Sequence, residues 1–357
     1  NTHNQGQDGL ELSLNNWLQG HNGYETITTD GLGRIIAIKD LPKVPQNGRD
    51  ITLTLDLLVQ YRAYEALKEE VNRVHAQSGS VVALNPNNGE VLAAVSYPSF
   101  NPNNISNRVG RAIRDRAITD SYEPGSTMKS LTIAAGLTSG QYTPQTPINT
   151  NPGYIVVQHH RIRDDANFGQ LTTTTVLQKS SNVGATKIAL SIPHEKFYQM
   201  IQSAGFGSLP GGFFPGEANG YLPSLEGLSQ LGYVSLAFGY ALSSSSLQLA
   251  RAYTAIANGG ILYPVRFVQD NHISLGQRII SNAVASEVKA MLRKVVEPGG
   301  TGIIANIPGY KVAGKTGTSK KVGPHGFYKR RYDSIFAGFV PLAHPQMVIV
   351  VRINDPR

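Results

Sequence analysis

Ser126-Thr127-Met128-Lys129 puts a hydroxyl and an amine three residues apart, directly after Pro124-Gly125 and at the head of an apolar run reaching Leu137. Positions three apart share one face of a helix, so the two side chains can touch. That is the minimum a lysine-activated serine nucleophile requires. A helix head adds unpaired N–H groups and a positive dipole end, which favour an oxyanion and loss of the lysine proton. An ordinary lysine, with a pKa of about 10.4, is neutral only about once in two thousand at pH 7. Service as a base needs that pKa lowered by about 3 units, roughly 4–5 kcal/mol. Desolvation by the flanking apolar residues and a second cation nearby are the means available. Two more groupings suit the same chemistry. In Ser180-Ser181-Asn182 the first hydroxyl can relay a proton while the amide holds a substrate carbonyl or the lysine amine. In Lys315-Thr316-Gly317-Thr318 a cation and two hydroxyls can capture a terminal carboxylate. A glycine inside a strand pattern marks close approach of another backbone, and a peptide can add to such an edge as an extra strand.

Taken singly, each pattern also has an ordinary structural explanation. Ser286 to Lys289 repeats the serine–lysine spacing in the middle of an amphipathic run, and Ser13-Leu14-Asn15 repeats the serine–asparagine spacing far upstream. Only one order of the three elements gives each copy the context its chemistry needs.

The elements that must carry these residues follow from periodicity. Ile51 to Asp56 alternates as a strand does, and Leu57 to Ala76 has helical spacing. Ser80 to Leu84 and Glu90 to Ser96 flank Asn85-Pro86-Asn87-Asn88-Gly89 as a hairpin would. Ser126 to Leu137 is predicted as a buried helix, Ser243 to Asn258 as a helix stopped by Gly259-Gly260, and Ser281 to Val296 as an amphipathic helix. Strands are predicted at Tyr310 to Lys320, Tyr332 to Val340 and Gln346 to Ile353. Two early strands, a helical middle and three closing strands give an α+β class, one antiparallel sheet packed with helices. The character changes near Asp50, so residues 1–50 are separated from 51–357.

Composition narrows the function classes. The 357 residues contain no cysteine, which excludes disulfides, thiolate metal sites and a cysteine nucleophile. The net charge of +8 suits an anionic partner, but the excess is spread along the chain, and a nucleic-acid role has no docking motif beside it. No metal or cofactor is expected: His159-His160 reads as a solvated loop, and Gly205-Phe206-Gly207 lacks the third glycine of a phosphate cradle. No apolar stretch is long enough to cross a bilayer, and the polar opening Asn1 to Asp8 reads as an edge within a longer protein.

In their order, the three elements are those shared by penicillin-binding proteins and class A β-lactamases. The resemblance reaches further. Gly9-Leu10-Glu11 is similar to the segment that closes the non-catalytic module of class B penicillin-binding proteins. Ser96-Tyr97-Pro98 with Asn101-Pro102-Asn103 is similar to the segment after the second strand. Arg116 to Asp120, Glu123-Pro124-Gly125-Ser126, Gln178 to Gly184, Phe238-Gly239-Tyr240, Leu247 to Arg251, and Lys315 to Lys321 with Val322-Gly323-Pro324 and Tyr328 resemble the division-specific branch.

That resemblance implies a five-stranded antiparallel sheet flanked by helices on both faces. It implies Ser126 as the acylated nucleophile, Lys129 as its base and Ser180 as proton relay. Asn182, Lys315, Thr316 and Thr318 become substrate contacts, with Gly317 admitting the backbone. The N–H groups of Ser126 and Thr318 become the oxyanion hole, and Tyr328 and Tyr332 wall the site. Residues 1–50 become the remnant of a pedestal module and linker, and 51–357 the transpeptidase domain without its last helix. The implied activity is D,D-transpeptidation at the division septum on D-Ala–D-Ala stem-peptide donors and amine acceptors, with β-lactams as covalent inhibitors. The implied setting is the periplasm, on a single inner-membrane anchor outside this chain, beside a septal glycan polymerase and other divisome proteins. Two rivals stay open: hydrolysis, as a β-lactamase or carboxypeptidase, and a non-enzymatic β-lactam sensor. A class A β-lactamase needs an E-x-x-L-N glutamate between the second and third elements; Glu11 to Asn15 spells it far upstream, as a coincidence.

Overall fold

The computed structural model describes residues 5–39, 42–104, 106, 110–270, 275–323 and 326–357. Of the stretches singled out above, residues 1–4 and Pro324 lie outside that set. The chain divides into two units, residues 1–53 with 213–216, and residues 54–212 with 217–357.

In the first unit, two short helices, Gly9–Ser13 and Asn15–Leu18, precede a two-stranded antiparallel ribbon of Ile27–Thr29 and Ile35–Ile38. Every ribbon residue is exposed. Asp30 shapes its turn by accepting from the N–H groups of Leu32 and Arg34, both at 2.9 Å.

The second unit is built on a five-stranded sheet. Helix α1 (Leu57–Arg73) leads to β1 (Ser78–Leu84) and β2 (Val91–Tyr97); β3 (Ala313–Gly323), β4 (Gly326–Val340) and β5 (Met347–Asn354) close the chain. The order is β3-β4-β5-β1-β2, every neighbouring pair antiparallel. Alternation along β1 sorts its side chains between two cores. Val81 and Ala83 join Val95, Ile353 and the α1 residues Leu67 and Val71. Val82 and Leu84 point to the opposite face with Val348 and Val350, all fully buried. α1 lies so close to β1 that a Cβ on Gly79 would sit 2.6 Å from Leu67 Cδ1.

The second face is covered by α5 (Ser246–Ala257) and α6 (Asn282–Val295). Ser80 Oγ of β1 meets Ser246 Oγ of α5 at 2.9 Å. Against α5, through Ser130 Oγ and Tyr253 OH, lies α2 (Lys129–Thr138), buried from Lys129 to Leu137 on all sides, with Lys129, Ser130 and Thr132 among the buried residues. Helices α3 (Thr173–Lys179) and α4 (Asn182–Ser191) follow. The α+β class and the helix-flanked five-stranded sheet are thus as expected from the sequence.

Two local expectations need correction. Residues 51–56 form no strand of the sheet. Instead Thr54 N–H donates to Phe267 O and Asp56 N–H to Leu92 O, both at 2.9 Å, and the Asp56 carboxylate caps α1. Alternation there comes from a connector lying against the end of β2. The helix predicted from Ser126 opens as a 3-10 turn, Gly125–Met128, before α2 begins. The left-handed φ of +56° at Gly125 turns the chain sharply into it. No helix among the described residues is long and apolar enough to cross a membrane.

Candidate active site

Ser126 stands in the 3-10 turn that runs directly into α2, and Lys129 is the first residue of that helix. The turn is fixed from three sides. Thr127 Oγ1 donates to Pro124 O at 2.8 Å, and Tyr253 OH of α5 donates to Thr127 O at 2.8 Å. Gly125 N–H donates to Gly239 O at 3.0 Å. The third side is β3, and glycines make the approach possible. A Cβ on Gly125 would lie 2.8 Å from Thr318 O, and one on Gly317 would lie 2.9 Å from Pro124 O. On the outer side, a Cβ on Gly239 would come within 2.0 Å of Gly125 O. Three glycines therefore stack backbone on backbone around the nucleophile's turn, where any other residue forces a shift.

Lys129 is fully buried. Its Nζ lies 2.8 Å from Ser126 Oγ, 2.7 Å from Ser180 O, 3.1 Å from Ser180 Oγ and 2.7 Å from Asn182 Oδ1. Burial lowers its pKa to about 7, against an upward pull from Asp164 and Asp165. The cost is of the size the sequence argument required, and the helix can carry it. Met128, Leu131, Ile133 and Leu137 are buried alongside, each contributing about 1.5–3 kcal/mol. A neutral amine has two N–H donors and one lone pair. Two carbonyl oxygens, Ser180 O and Asn182 Oδ1, can only accept, so they take the donors. The lone pair is left for a hydroxyl proton of Ser126 or Ser180.

The junction of α3 and α4 supplies those acceptors. Ser180 is the C-cap of α3 in the left-handed conformation, φ +61°, a setting that costs a non-glycine residue about 1–2 kcal/mol. It brings both oxygens of Ser180 to the same amine. Ser181 caps α4 by accepting from Gly184 N–H at 2.9 Å, while its hydroxyl donates to Asp164 Oδ2 at 2.6 Å. Asn182 Nδ2 donates to Arg163 O at 2.9 Å, which fixes Oδ1 toward Lys129.

On β3, Lys315 is fully buried, with Nζ 3.0 Å from Thr316 O. Burial, and then the neighbouring charge of Lys129, hold its pKa well below the usual lysine range. Thr316 Oγ1 meets Thr301 Oγ1 at 2.7 Å, and Thr318 is exposed. Among the described residues β3 pairs with β4 alone, and its other flank faces the turn that holds Ser126. Ser126, Lys129, Ser180 and Asn182 thus meet within hydrogen-bonding distance, with Thr316, Gly317 and Thr318 on the strand beside them. Tyr328 is not in this cluster. It packs on Gly323 under the Arg331 guanidinium, 5.1 Å from the ring centroid, and Gly323 lies about 16 Å along β3 from Thr318 at roughly 3.3 Å per residue.

Sequence reasoning missed several contributors. Asp164 orients Ser181 and Val183 N–H, and with Asp165 opposes the depression of Lys129; an acidic pair in a loop gives no signal of that. Glu123 accepts from Ala241 N–H at 3.2 Å and is pushed up by burial. Tyr240 OH accepts from Lys320 N–H at 3.3 Å. The two decoys play no part: Lys289 belongs to α6 and Asn15 Oδ1 accepts from Gly6 N–H. Among the described residues no group of three or more His, Cys, Asp or Glu could hold a metal ion.

Residues 79–357 match the family described as penicillin binding protein transpeptidase domain, and residues 1–53 the penicillin-binding protein dimerisation domain. The chain is 37% identical over 356 residues to the probable peptidoglycan D,D-transpeptidase PbpC of Pseudomonas aeruginosa, covering 100% of this chain and 63% of that protein. It is 38% identical over 358 residues to the peptidoglycan D,D-transpeptidase FtsI of Escherichia coli K12, covering 100% of this chain and 60% of that protein. The chain thus spans about three fifths of the length of these curated relatives, 60–63%. Among solved structures, the apo TP domain of Burkholderia pseudomallei penicillin-binding protein 3 superposes with a TM-score of 0.79 at 38% identity, over 85% of this chain and 88% of that one.

Proposed function

This chain belongs to the penicillin-binding protein transpeptidase family, and on that premise we propose that it cross-links peptidoglycan stem peptides by acyl transfer through Ser126. The observation that carries the reading is the contact of a fully buried Lys129 Nζ with Ser126 Oγ at 2.8 Å.

Ser126 Oγ attacks the carbonyl carbon of the penultimate D-alanine while its proton passes to the lone pair of Lys129. The C–N bond breaks, and the departing D-alanine amine takes a proton through the Ser180 hydroxyl, 3.1 Å from Lys129 Nζ. The acyl group is left as an ester on Ser126. An acceptor amine then attacks that ester, forming the cross-link and returning the proton to Ser126. Asn182 and β3 hold the donor: Thr316 and Thr318 face its terminal carboxylate, and Lys315 lies behind them, where an incoming carboxylate favours its protonated form. Gly317 lets the strand lie against the Ser126 turn. The N–H groups of Ser126 and Thr318 take up the developing oxyanion. A β-lactam enters by the same attack, with its ring amide in place of the D-Ala–D-Ala bond.

The resemblance of Arg116 to Asp120 and of Gln178 to Gly184 to the division-specific branch supports the finer reading of septal synthesis. On it, the chain works in the periplasm from an inner-membrane anchor, with a glycan polymerase and divisome proteins as partners. Residues 1–50 then belong to a pedestal module and linker, and 51–357 to the transpeptidase domain. Glu11 stands upstream of Ser126 in the chain rather than between Asn182 and Lys315, so its E-x-x-L-N pattern does not favour the β-lactamase reading.

Intact mass after treatment with fluorescent penicillin tests the proposal. One long-lived adduct is expected, mapped to Ser126 and abolished by Ser126→Ala, and a stem-peptide donor with an amine acceptor should yield the cross-linked product. Rapid turnover of penicillin overturns transpeptidation in favour of hydrolysis. Acylation without any peptide turnover overturns it in favour of a sensor.

A further inference from the structure

The core contains a group of charges that the acyl-transfer scheme does not use. Arg352 of β5 is 6% exposed. Its Nε donates to Asp333 Oδ1 at 3.1 Å and its Nη2 to Asp333 Oδ2 at 3.2 Å, a two-pronged grip on β4. Its Nη1 reaches Asp120 Oδ2 at 3.5 Å, and its guanidinium lies 4.4 Å from the centre of the Tyr122 ring. Tyr122 is tied on its far side as well. Its OH meets Ser246 Oγ of α5 at 3.1 Å, and its backbone exchanges hydrogen bonds with Ser244 at 3.0 and 2.9 Å. On the sheet side, Asp333 is the register partner of Ser319 on β3, and Lys321 Nζ stands 3.9 Å from Asp333 Oδ1.

Such a group contributes little to stability. Ions removed from water lose about as much as their attraction returns, and apolar side chains of equal volume would fill a core as well. What a planar guanidinium adds is geometry: bound at two oxygens and stacked on a ring, it permits one arrangement of the pieces it joins. Those pieces are the two halves of the site. Asp120 and Tyr122 lie on the segment leading into Ser126, and Asp333 pairs with the strand that carries Thr316 and Thr318. We propose that Arg352 is a positioning residue for acylation, fixing the approach segment 120–122 to the β3–β4 pair and so the distance from Ser126 to β3. The inference rests on the acyl-serine reading above and assigns Arg352 no contact with substrate.

The test is the rate of acylation by fluorescent penicillin per titrated active site, resolved into non-covalent binding and the acylation step, well below each variant's melting temperature. Arg352→Lys keeps the charge and loses the fork. Asp120→Asn weakens the attachment of the approach segment and leaves β4 untouched. Arg352→Lys should slow the acylation step by about 10- to 100-fold, the effect expected of a misplacement near 1 Å, and Asp120→Asn severalfold. In both, the pH midpoint should stay where wild type has it, because neither change touches the burial of Lys129. A lowered melting temperature with an unchanged acylation step in folded Arg352→Lys overturns the inference. Should that variant fail to fold, an unchanged step in Asp120→Asn does the same. Failure of the wild type to be acylated at all is a separate result, and removes the acyl-serine reading itself.

Discussion

Burial of Lys129 sets the pH at which Ser126 becomes a nucleophile. With its pKa lowered to about 7, half the amine is neutral at pH 7. At the ordinary lysine value of about 10.4, about one molecule in two thousand to three thousand would be so. The gain of about a thousandfold corresponds to roughly 4–5 kcal/mol of desolvation. The neutral form is the base, so activity must rise with pH. Acylation by a β-lactam should increase about tenfold from pH 5 to pH 6 and level off above about pH 8. Lys129→Met keeps an apolar stem of nearly the same length and loses the base, and should slow acylation by about 10²–10⁴-fold at pH 7. Asp165→Asn removes a charge that pulls the pKa up, so its midpoint should fall below that of wild type. The assay is stopped-flow or quenched acylation at matched active-site concentration between about pH 5 and pH 9. A profile flat across that range, or one still rising about tenfold per unit at pH 9, would refute the argument that burial makes the base. A Lys129→Met variant as fast as wild type would refute it too.

Other consequences follow from the same contacts. Asn182→Asp puts a carboxylate in place of the amide oxygen 2.7 Å from Lys129 Nζ; opposite charge favours the ammonium, so the acylation midpoint should move upward and the rate at pH 7 fall. Gly317→Ala must relieve a Cβ at 2.9 Å from Pro124 O and 3.0 Å from Thr127 Cγ2. It should cost about 1–3 kcal/mol by thermal unfolding and slow acylation, because the strand is wedged off the Ser126 turn. Tyr253→Phe keeps the buried ring but withdraws the donor to Thr127 O and the contact with Ser130 Oγ. Urea titration should show a loss of about 1–2 kcal/mol.

What the sequence made legible has a physical pattern. Strands β1 to β5 and helices α1, α5 and α6 were readable because each carries its own periodicity between turn residues. The Ser126–Lys129 contact was readable because helical geometry alone brings the pair together. The meeting of Lys129 with Ser180 and Asn182 depends on a left-handed residue joining two helices, and left-handed serine has no composition signal. Asp164, Asp165 and Arg352 act across long stretches of chain, so no local pattern could reveal them. The alternation of residues 51–56 misled because an extended connector hydrogen-bonded on one side has the same period as a strand. Tyr328 entered by resemblance alone, and its packing on Gly323 and Arg331 is set at the end of the β3–β4 pair.

The stack of Gly239, Gly125 and Gly317 has a consequence for how such a cleft can change. Where main chain rests on main chain, no side chain is left to trim or enlarge, so the spacing of nucleophile and gripping strand is closed to gradual adjustment. Room for a bulkier donor, or for evading a bulkier inhibitor, has to be found on the facing wall, in the linker between α3 and α4. Adaptive substitutions should therefore accumulate on one bank of the groove and leave the other nearly untouched.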